Sequence, residues 1–418
     1  MISFDLALER IYAHAKPLES VRVPLMDTCG RVASEHVVSP MMSPPFDNSA
    51  MDGFALNEDE TRLATPSNPL YFSIKNTLAA GQTSPFFGEK TTVKIMTGAP
   101  LPKGYNSVLV VEEAQIVTVD DENQLRITKP VNSNQNVRRQ GEDIAYHDEL
   151  IKPGEHINAN RLMTLATIGV ASVAVTRTLR VGILSTGNEI IDDYDEPLSQ
   201  GKIYNSNYPY LKHVLKASGV EEQYLGNFPD DLISFKNHID RFLSDENGPD
   251  LIISTGAVSK GDYDYIPGAL RDLGGEIVFH GVNIRPGKPI LFASFGKKYY
   301  FGLPGNPISA AVGYQFFIRP LIRQLQGLPP CPPVFAKLNN SFLKKGLFRQ
   351  FLKARAHFNL EGQLCVTILK NQESSRVKPF LQVNAWVIVN EDISELKSGD
   401  IVPLVLMPYC SIEDLTCE

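Results

Sequence analysis

The spacing of apolar positions changes three times along this chain. Phe4, Leu8, Ile11, Ala15 and Leu18 recur at helical intervals around Asp5, Glu9 and Arg10, which predicts an opening amphipathic helix ended by Pro17. Ser39 to Phe46 is rich in proline and must be extended, because proline fixes φ and drives the residue before it out of the helical region. Between 55 and 155 the apolar runs shorten to strand length (Leu70 to Ile74, Thr92 to Met96, Ser107 to Glu112, Leu125 to Lys129), separated by Gly, Pro, Asn and Asp. Ala159 to Ile168 then reads as a helix closing at Gly169, and the first helix is expected to return and pack on it.

From Arg180 the rhythm becomes strand and helix in alternation. Strands are predicted at Val181 to Leu184, Gln223 to Gly226, Leu251 to Ile253, Glu276 to His280, Ile290 to Ala293 and Tyr299 to Gly302, and helices near Tyr208 to Ala217, Asp231 to Leu243, Ile266 to Leu273 and Ile308 to Gln324. That alternation means βαβ units and a doubly wound, mostly parallel sheet. Leu328 to Pro333 is a stiff proline-rich linker, and from Val334 onward apolar and polar residues alternate as in a small β-barrel or sandwich. The fold class is thus multidomain α/β plus β: a mostly β region in the N-terminal half, a small helical and extended part, the central α/β domain and a C-terminal β domain. Arg349, Lys353 and Arg355 fall on one apparent strand and read as a solvated face.

Composition narrows the partners. The net charge of −7 argues against nucleic acid, so any cationic site must be local. Five scattered cysteines without a Cys-x-x-Cys fit free thiols in a reducing cytoplasm. The stretch from Leu162 to Val175 is too short and too polar for a membrane span, and the N-terminus carries an early acid instead of a basic targeting segment.

Four loops of the α/β region share one design. Ser185-Thr186-Gly187-Asn188-Glu189 and the loop from Ser254 to Tyr265, with Thr255, Gly256, Ser259 and Gly261, both follow strands. Arg285-Pro286-Gly287-Lys288-Pro289 precedes a third, and Leu303-Pro304-Gly305-Asn306-Pro307 leads into the last long helix. Glycine admits backbone close to a ligand and helix starts add partial positive charge, which suits phosphate or another oxyanion. Arg285 and Lys288 would supply full charges. Asp230, Asp231, Asp262 and Asp264 are hard oxygen donors able to hold Mg²⁺ beside a substrate phosphate, or else helix caps and turn residues. Glu189 would hydrogen-bond a heterocycle or cap its helix. In the front half, Pro45 to Phe54, Ile95 to Pro100 and Val137 to Ile144 are polar, glycine-bearing segments, with a solvated charge run as the ordinary reading of Arg138 to Asp143. Of the eight histidines only His280 stands near a loop of this kind, and it reads as structural.

In order along the chain, Asp47 to Phe54, Met96 to Pro100, Arg138 to Asp143, Ser185 to Glu189, Ser254 to Ser259, Arg285 to Pro289 and Leu303 to Pro307 together resemble the molybdopterin molybdenumtransferase family, the MoeA proteins and the gephyrin E domain. The resemblance spans essentially the whole chain. It implies a discontinuous N-terminal region at 1–178 (helical and extended part about 1–20, 41–54 and 141–178; β part about 21–40 and 55–140). It further implies a MogA-like α/β domain at 179–327, the linker at 328–333 and a C-terminal β domain at 334–418. It implies the Mg²⁺-dependent conversion of adenylyl-molybdopterin and molybdate to molybdenum cofactor and AMP, in a homodimer. Transient contacts with a MogA-like adenylyltransferase and with molybdoenzyme acceptors are also implied.

By motif position the resemblance carries over Asp52, Thr97, Asp143, Glu189 and Lys288 as catalytic residues and Asp230 and Asp264 as metal ligands. Ser185, Thr186, Gly187, Thr255, Gly256, Ser259, Gly261, Arg285, Pro304, Gly305 and Asn306 would contact the pterin substrate. Its site would lie in a cleft between the α/β domain of one subunit and the β domain of its partner. Two positions depart from the family: Ala257 stands where Gly is usual and Arg285 where Lys is common. A non-catalytic clustering scaffold of the gephyrin type, and a pyrophosphatase or amidase borrowing the α/β domain, are the rival readings.

Overall fold

A computed structural model describes residues 1–256 and 265–416. Ser259, Gly261, Asp262 and Asp264 therefore lie outside the described residues, as does Ala257.

The α/β domain is built on a six-stranded sheet. Its strands lie in the order Glu221–Phe228, Arg180–Thr186, Leu251–Thr255, Lys298–Leu303, Leu291–Phe295 and Glu276–His280. The first four run parallel, and Leu291–Phe295 is antiparallel to both its neighbours. The central strands are buried almost throughout and apolar up to their carboxyl ends, as expected where helices cover both faces. Leu251 to Ile253 is wholly buried. The last long helix runs from Pro307 to Leu325 but widens to a π-turn at Tyr314–Ile318, just before Pro320, whose missing N–H removes a regular i→i−4 bond.

The opening helix, Phe4–His14, has the predicted face, with Phe4, Ala7 and Ile11 buried and the Ser3 hydroxyl capping Leu6 N–H at 3.2 Å. Its partner is not the one expected. Instead of returning to the helix Ala159–Thr167, it packs beneath the α/β sheet, with Phe4 against Phe316, Phe317 and Phe351. Ala159–Thr167 has its own small core with Ala33, Ile144, Ile151 and Val175. The physical reason is the size of the apolar surface: the underside of the sheet offers Phe279 and Phe292, the last long helix adds Phe317, and the short second helix buries only Leu165.

In the front half, a six-stranded sheet is ordered Ser107–Val110, Gly53–Leu56, Thr91–Ile95, Leu70–Leu78, Glu122–Ile127 and Gln115–Val119. The antiparallel pair Ser20–Pro24 and Ser172–Thr176 leads back to the α/β domain, where Arg177 grips the nearly buried Asp250 through two 2.8 Å bonds.

The C-terminal domain is a closed five-stranded barrel. Arg349–Phe358 pairs with Leu364–Ile368 on one side and Ala385–Val389 on the other, and Val334–Leu338 and Ile401–Leu406 complete the ring. Its strand Arg349–Phe358 is not the solvated face read from the sequence. Lys353 is fully buried, its ammonium donating to the carbonyls of Asn371, Glu373 and Arg376 at 2.7, 3.2 and 3.0 Å. Arg349 bonds Asp5 of the first helix and Glu391. Both charges are clamps between segments.

Candidate functional site

Parallel strands deliver their carboxyl ends to one edge, and open α/β sheets take ligands there. At this edge Ser185 and Thr186 end one strand and Thr255 ends its neighbour, all buried. Thr186 Oγ1 donates to the Thr255 carbonyl at 3.3 Å and Thr255 Oγ1 to Ser185 Oγ at 3.4 Å. Gly256 follows with φ +101° and its N–H on the Leu303 carbonyl at 3.0 Å. A Cβ there would stand 2.5 Å from the Thr186 carbonyl oxygen, so glycine is required by both backbone angle and space. Gly305 lies beside Gly256, its would-be Cβ 3.8 Å from the Gly256 Cα. The Ser185, Ser254 and Leu303 loops thus meet at one place, and Pro304, Gly305 and Asn306 stand at the start of the helix beginning at Pro307.

The acids at this edge are arranged unevenly. Glu189 is exposed and folds back on Gly187, where a Cβ would meet its Oε2 at 2.5 Å. Asp230 is half-buried, and its pKa is raised by burial first and by the charge of Glu189 second, so the two carboxylates are near enough to repel. Asp231 has a different job: it caps the helix Leu232–Ser244, accepting from Ser234 N–H at 2.6 Å. Tyr265 is raised to about 12 by burial, Asp230 and Asp231, and its buried hydroxyl has no partner among the described residues. Among the described residues no cluster of three metal-type side chains occurs. Mg²⁺ does not need one, since one or two carboxylates and substrate phosphates suffice, and the unbalanced Asp230 and Glu189 pair fits that mode.

Lys288 reaches the same edge because Leu291–Phe295 runs antiparallel to Lys298–Leu303, bringing the loop before it to the carboxyl ends. Lys288 and Arg285 are exposed. The Arg285 guanidinium lies over the Phe348 ring at 5.8 Å, and Ile284–Arg285 pairs with Arg349 and Gln350 of the barrel. A cavity of about 170 Å³ opens at this seam, lined by Arg285, Lys345 and Gln350, whose buried Oε1 has no partner among the described residues.

The three front-half motifs also converge, with one another. Ser49 N–H donates to the Ala99 carbonyl at 3.0 Å, Gly98 N–H to the Ser49 carbonyl at 2.8 Å, and Val137–Arg138 pairs with Asn48–Ser49. Asp52 accepts from both the N–H and the hydroxyl of Thr97 at 2.7 Å, and these two bonds, with Lys94 nearby, hold its pKa below the ordinary carboxylate value. Arg138 to Asp143 is not a free charge run: Arg139 is paired with Asp47, which also accepts from Gln140 N–H at 2.8 Å. Asp52, Thr97 and Asp143 are all exposed. No hydrogen bond or ion pair among the described residues joins this group to the sheet edge within one chain.

Residues absent from the sequence reading organise the edge. Asn205 is buried, and its amide donates to Ser185 Oγ at 2.9 Å and Asp192 Oδ1 at 2.8 Å, while Tyr224 donates to Asp192 Oδ2 at 2.8 Å. Asn207 donates to the Gly305 carbonyl at 2.8 Å. The one signal for them is Asn205-Ser206-Asn207 at a helix start, which also reads as an ordinary cap.

Comparison with known proteins agrees with this architecture. Residues 2–169 match the model of the MoeA N-terminal region (domain I and II), 182–324 that of a probable molybdopterin binding domain, and 336–407 that of the MoeA C-terminal region (domain IV). The chain is 34% identical to the molybdopterin molybdenumtransferase of Synechococcus elongatus, over 96% of this chain and 98% of that one. It is 32% identical to that of Haemophilus influenzae, over 97% and 98%. A crystal structure of the molybdopterin biosynthesis MoeA protein from Pyrococcus horikosii superposes with a TM-score of 0.85 at 28% identity, covering 97% of this chain and 99% of that one.

Proposed function

Since the chain belongs to the molybdopterin molybdenumtransferase family, and is a transferase of molybdenum cofactor biosynthesis, we propose that it inserts molybdenum by converting adenylyl-molybdopterin and molybdate to the molybdenum-loaded pterin and AMP. The observation that carries this reading is the meeting of three glycine-bearing loops beside an unbalanced Glu189 and Asp230 pair at the carboxyl edge of the sheet.

The reaction brings a diphosphate-linked pterin and a dianion together, so repulsion between anions is the barrier that protein groups must lower. The Ser185, Gly256 and Gly305 loops suit the adenylyl phosphates, because the backbone there is pinned and glycine leaves room for oxygen atoms. Arg285 and Lys288 offset charge on molybdate and on departing AMP. Asp230 and Glu189, with Asp264 further along the chain, would hold Mg²⁺, which when bound neutralises phosphate charge. No side chain need become covalently attached. Asp52, Thr97 and Asp143 are proposed to reach this edge from the partner of a homodimer, since they gather on a separate, exposed face of their own chain. Their fixed geometry, with Asp52 held ionised by Thr97, suits hydrogen-bonding and orienting the pterin.

The test is release of AMP from purified adenylyl-molybdopterin on addition of molybdate and Mg²⁺. Stoichiometric release that needs molybdate supports the reading, and binding without release would favour a scaffold.

A further inference from the structure

Away from the sheet edge, a cavity of about 390 Å³ lies where three parts of the chain meet. Gly30 and His156 come from the N-terminal half, Lys216, Arg319 and Arg323 from helices of the α/β domain, and Pro408 follows the last barrel strand. Four of its lining residues are basic or can become so, and none is Asp or Glu. In a chain of net charge −7 that local excess needs a cause.

Ordinary structural roles account for only part of it. Lys216 ends the helix Asn207–Lys216, where a cation complements the helix dipole. Arg323 is aimed by two bonds to the Pro329 carbonyl, at 3.1 and 2.6 Å. Arg319 is different: it is only partly exposed, it forms no hydrogen bond or ion pair with the described residues, and it sits one helical turn from Arg323, an arrangement in which like charges repel. The field is strong enough to act on its neighbours. Burial, then Arg323 and Arg161, press the His156 imidazole toward its neutral form. A bound anion would offset the repulsion between Arg319 and Arg323 and their pressure on His156, and guanidinium forks match the oxygen pairs of a phosphate.

We propose that this junction is a second anion site, separate from the transferase centre, which takes a small phosphate-bearing molecule of the diphosphate class through Arg319, Arg323 and Lys216. An occupant would touch all three parts of the chain, so its binding stabilises their mutual arrangement.

The test uses the full-length chain carrying Arg285→Gln and Lys288→Gln, which weakens anion binding at the sheet edge, titrated with inorganic pyrophosphate at constant ionic strength by calorimetry. One saturable event per chain is expected, with a rise in melting temperature. Adding Arg319→Gln should weaken it by at least about tenfold, and so should Lys216→Gln, an exposed position where folding is not at stake. Absence of a saturable event overturns the proposal. So does binding of equal strength in both added variants.

Discussion

Asp52 and Gly256 mark opposite ways in which one residue sets this protein's behaviour. Asp52 is exposed and its carboxylate accepts only from Thr97 among the described residues, so Asp52→Asn should shift the melting temperature little and lower the rate of AMP release by roughly 100-fold, the usual scale for one oriented polar contact. Gly256→Ala should do the reverse first: with φ at +101° and a carbonyl 2.5 Å from the new methyl, it should cost about 1–3 kcal/mol in chemical denaturation. Asp230 adds a dependence on pH. Because folding raises its pKa, its contribution to stability is complete below the ordinary aspartate pKa and is lost as pH rises through the raised value. Mg²⁺ should therefore raise the melting temperature at neutral pH and lose that effect as pH falls through the raised value, while Asp230→Asn should be more stable without Mg²⁺ at neutral pH and gain less from the ion. Melting curves with and without the ion check both statements. At this scale the motifs were legible in the sequence because glycine and charge have narrow uses. Asn205 was not, since a buried amide that ties Ser185 to Asp192 looks, in one dimension, like any cap.

Elements were legible where their neighbours were local. The strands of the sheet and the face of the first helix follow from spacing alone, because period and burial coincide. What that helix packs on does not follow, because its apolar stripe would suit any apolar face and the winning one is about 300 residues away in sequence. The barrel strand Arg349–Phe358 misled for a related reason. It is covered on both sides, so the alternation that marks a half-solvated strand is missing, and Lys353 is buried by a loop that begins near Asn371. Lys353→Met should thus strip three carbonyls of a donor and cost roughly 1–3 kcal/mol, with cleavage by a protease concentrated between 370 and 377. Denaturation midpoints and mass mapping of the first cleavage products measure this. A surface lysine would show neither.

For the molecule as a whole, the division of polar motifs into two groups makes a sharp prediction. If the front-half acids of one chain serve the sheet edge of another, then Asp52→Asn and Asp230→Asn proteins, each inactive alone, should regain activity when unfolded together and refolded. Random pairing leaves one intact site in half of the dimers, so about a quarter of the wild-type AMP release is expected. No recovery would mean that each chain builds its site alone. The first helix carries a further consequence. Its hydrophobic face is completed by Phe279, Phe292 and Phe317, so this helix has nothing to rest on until roughly 300 further residues have been made. At common rates of translation that wait lasts roughly 15–60 s, during which an unsheltered sticky helix is on offer to chaperones, and slowing the ribosome late in the message should lower the yield of native protein more than slowing it early.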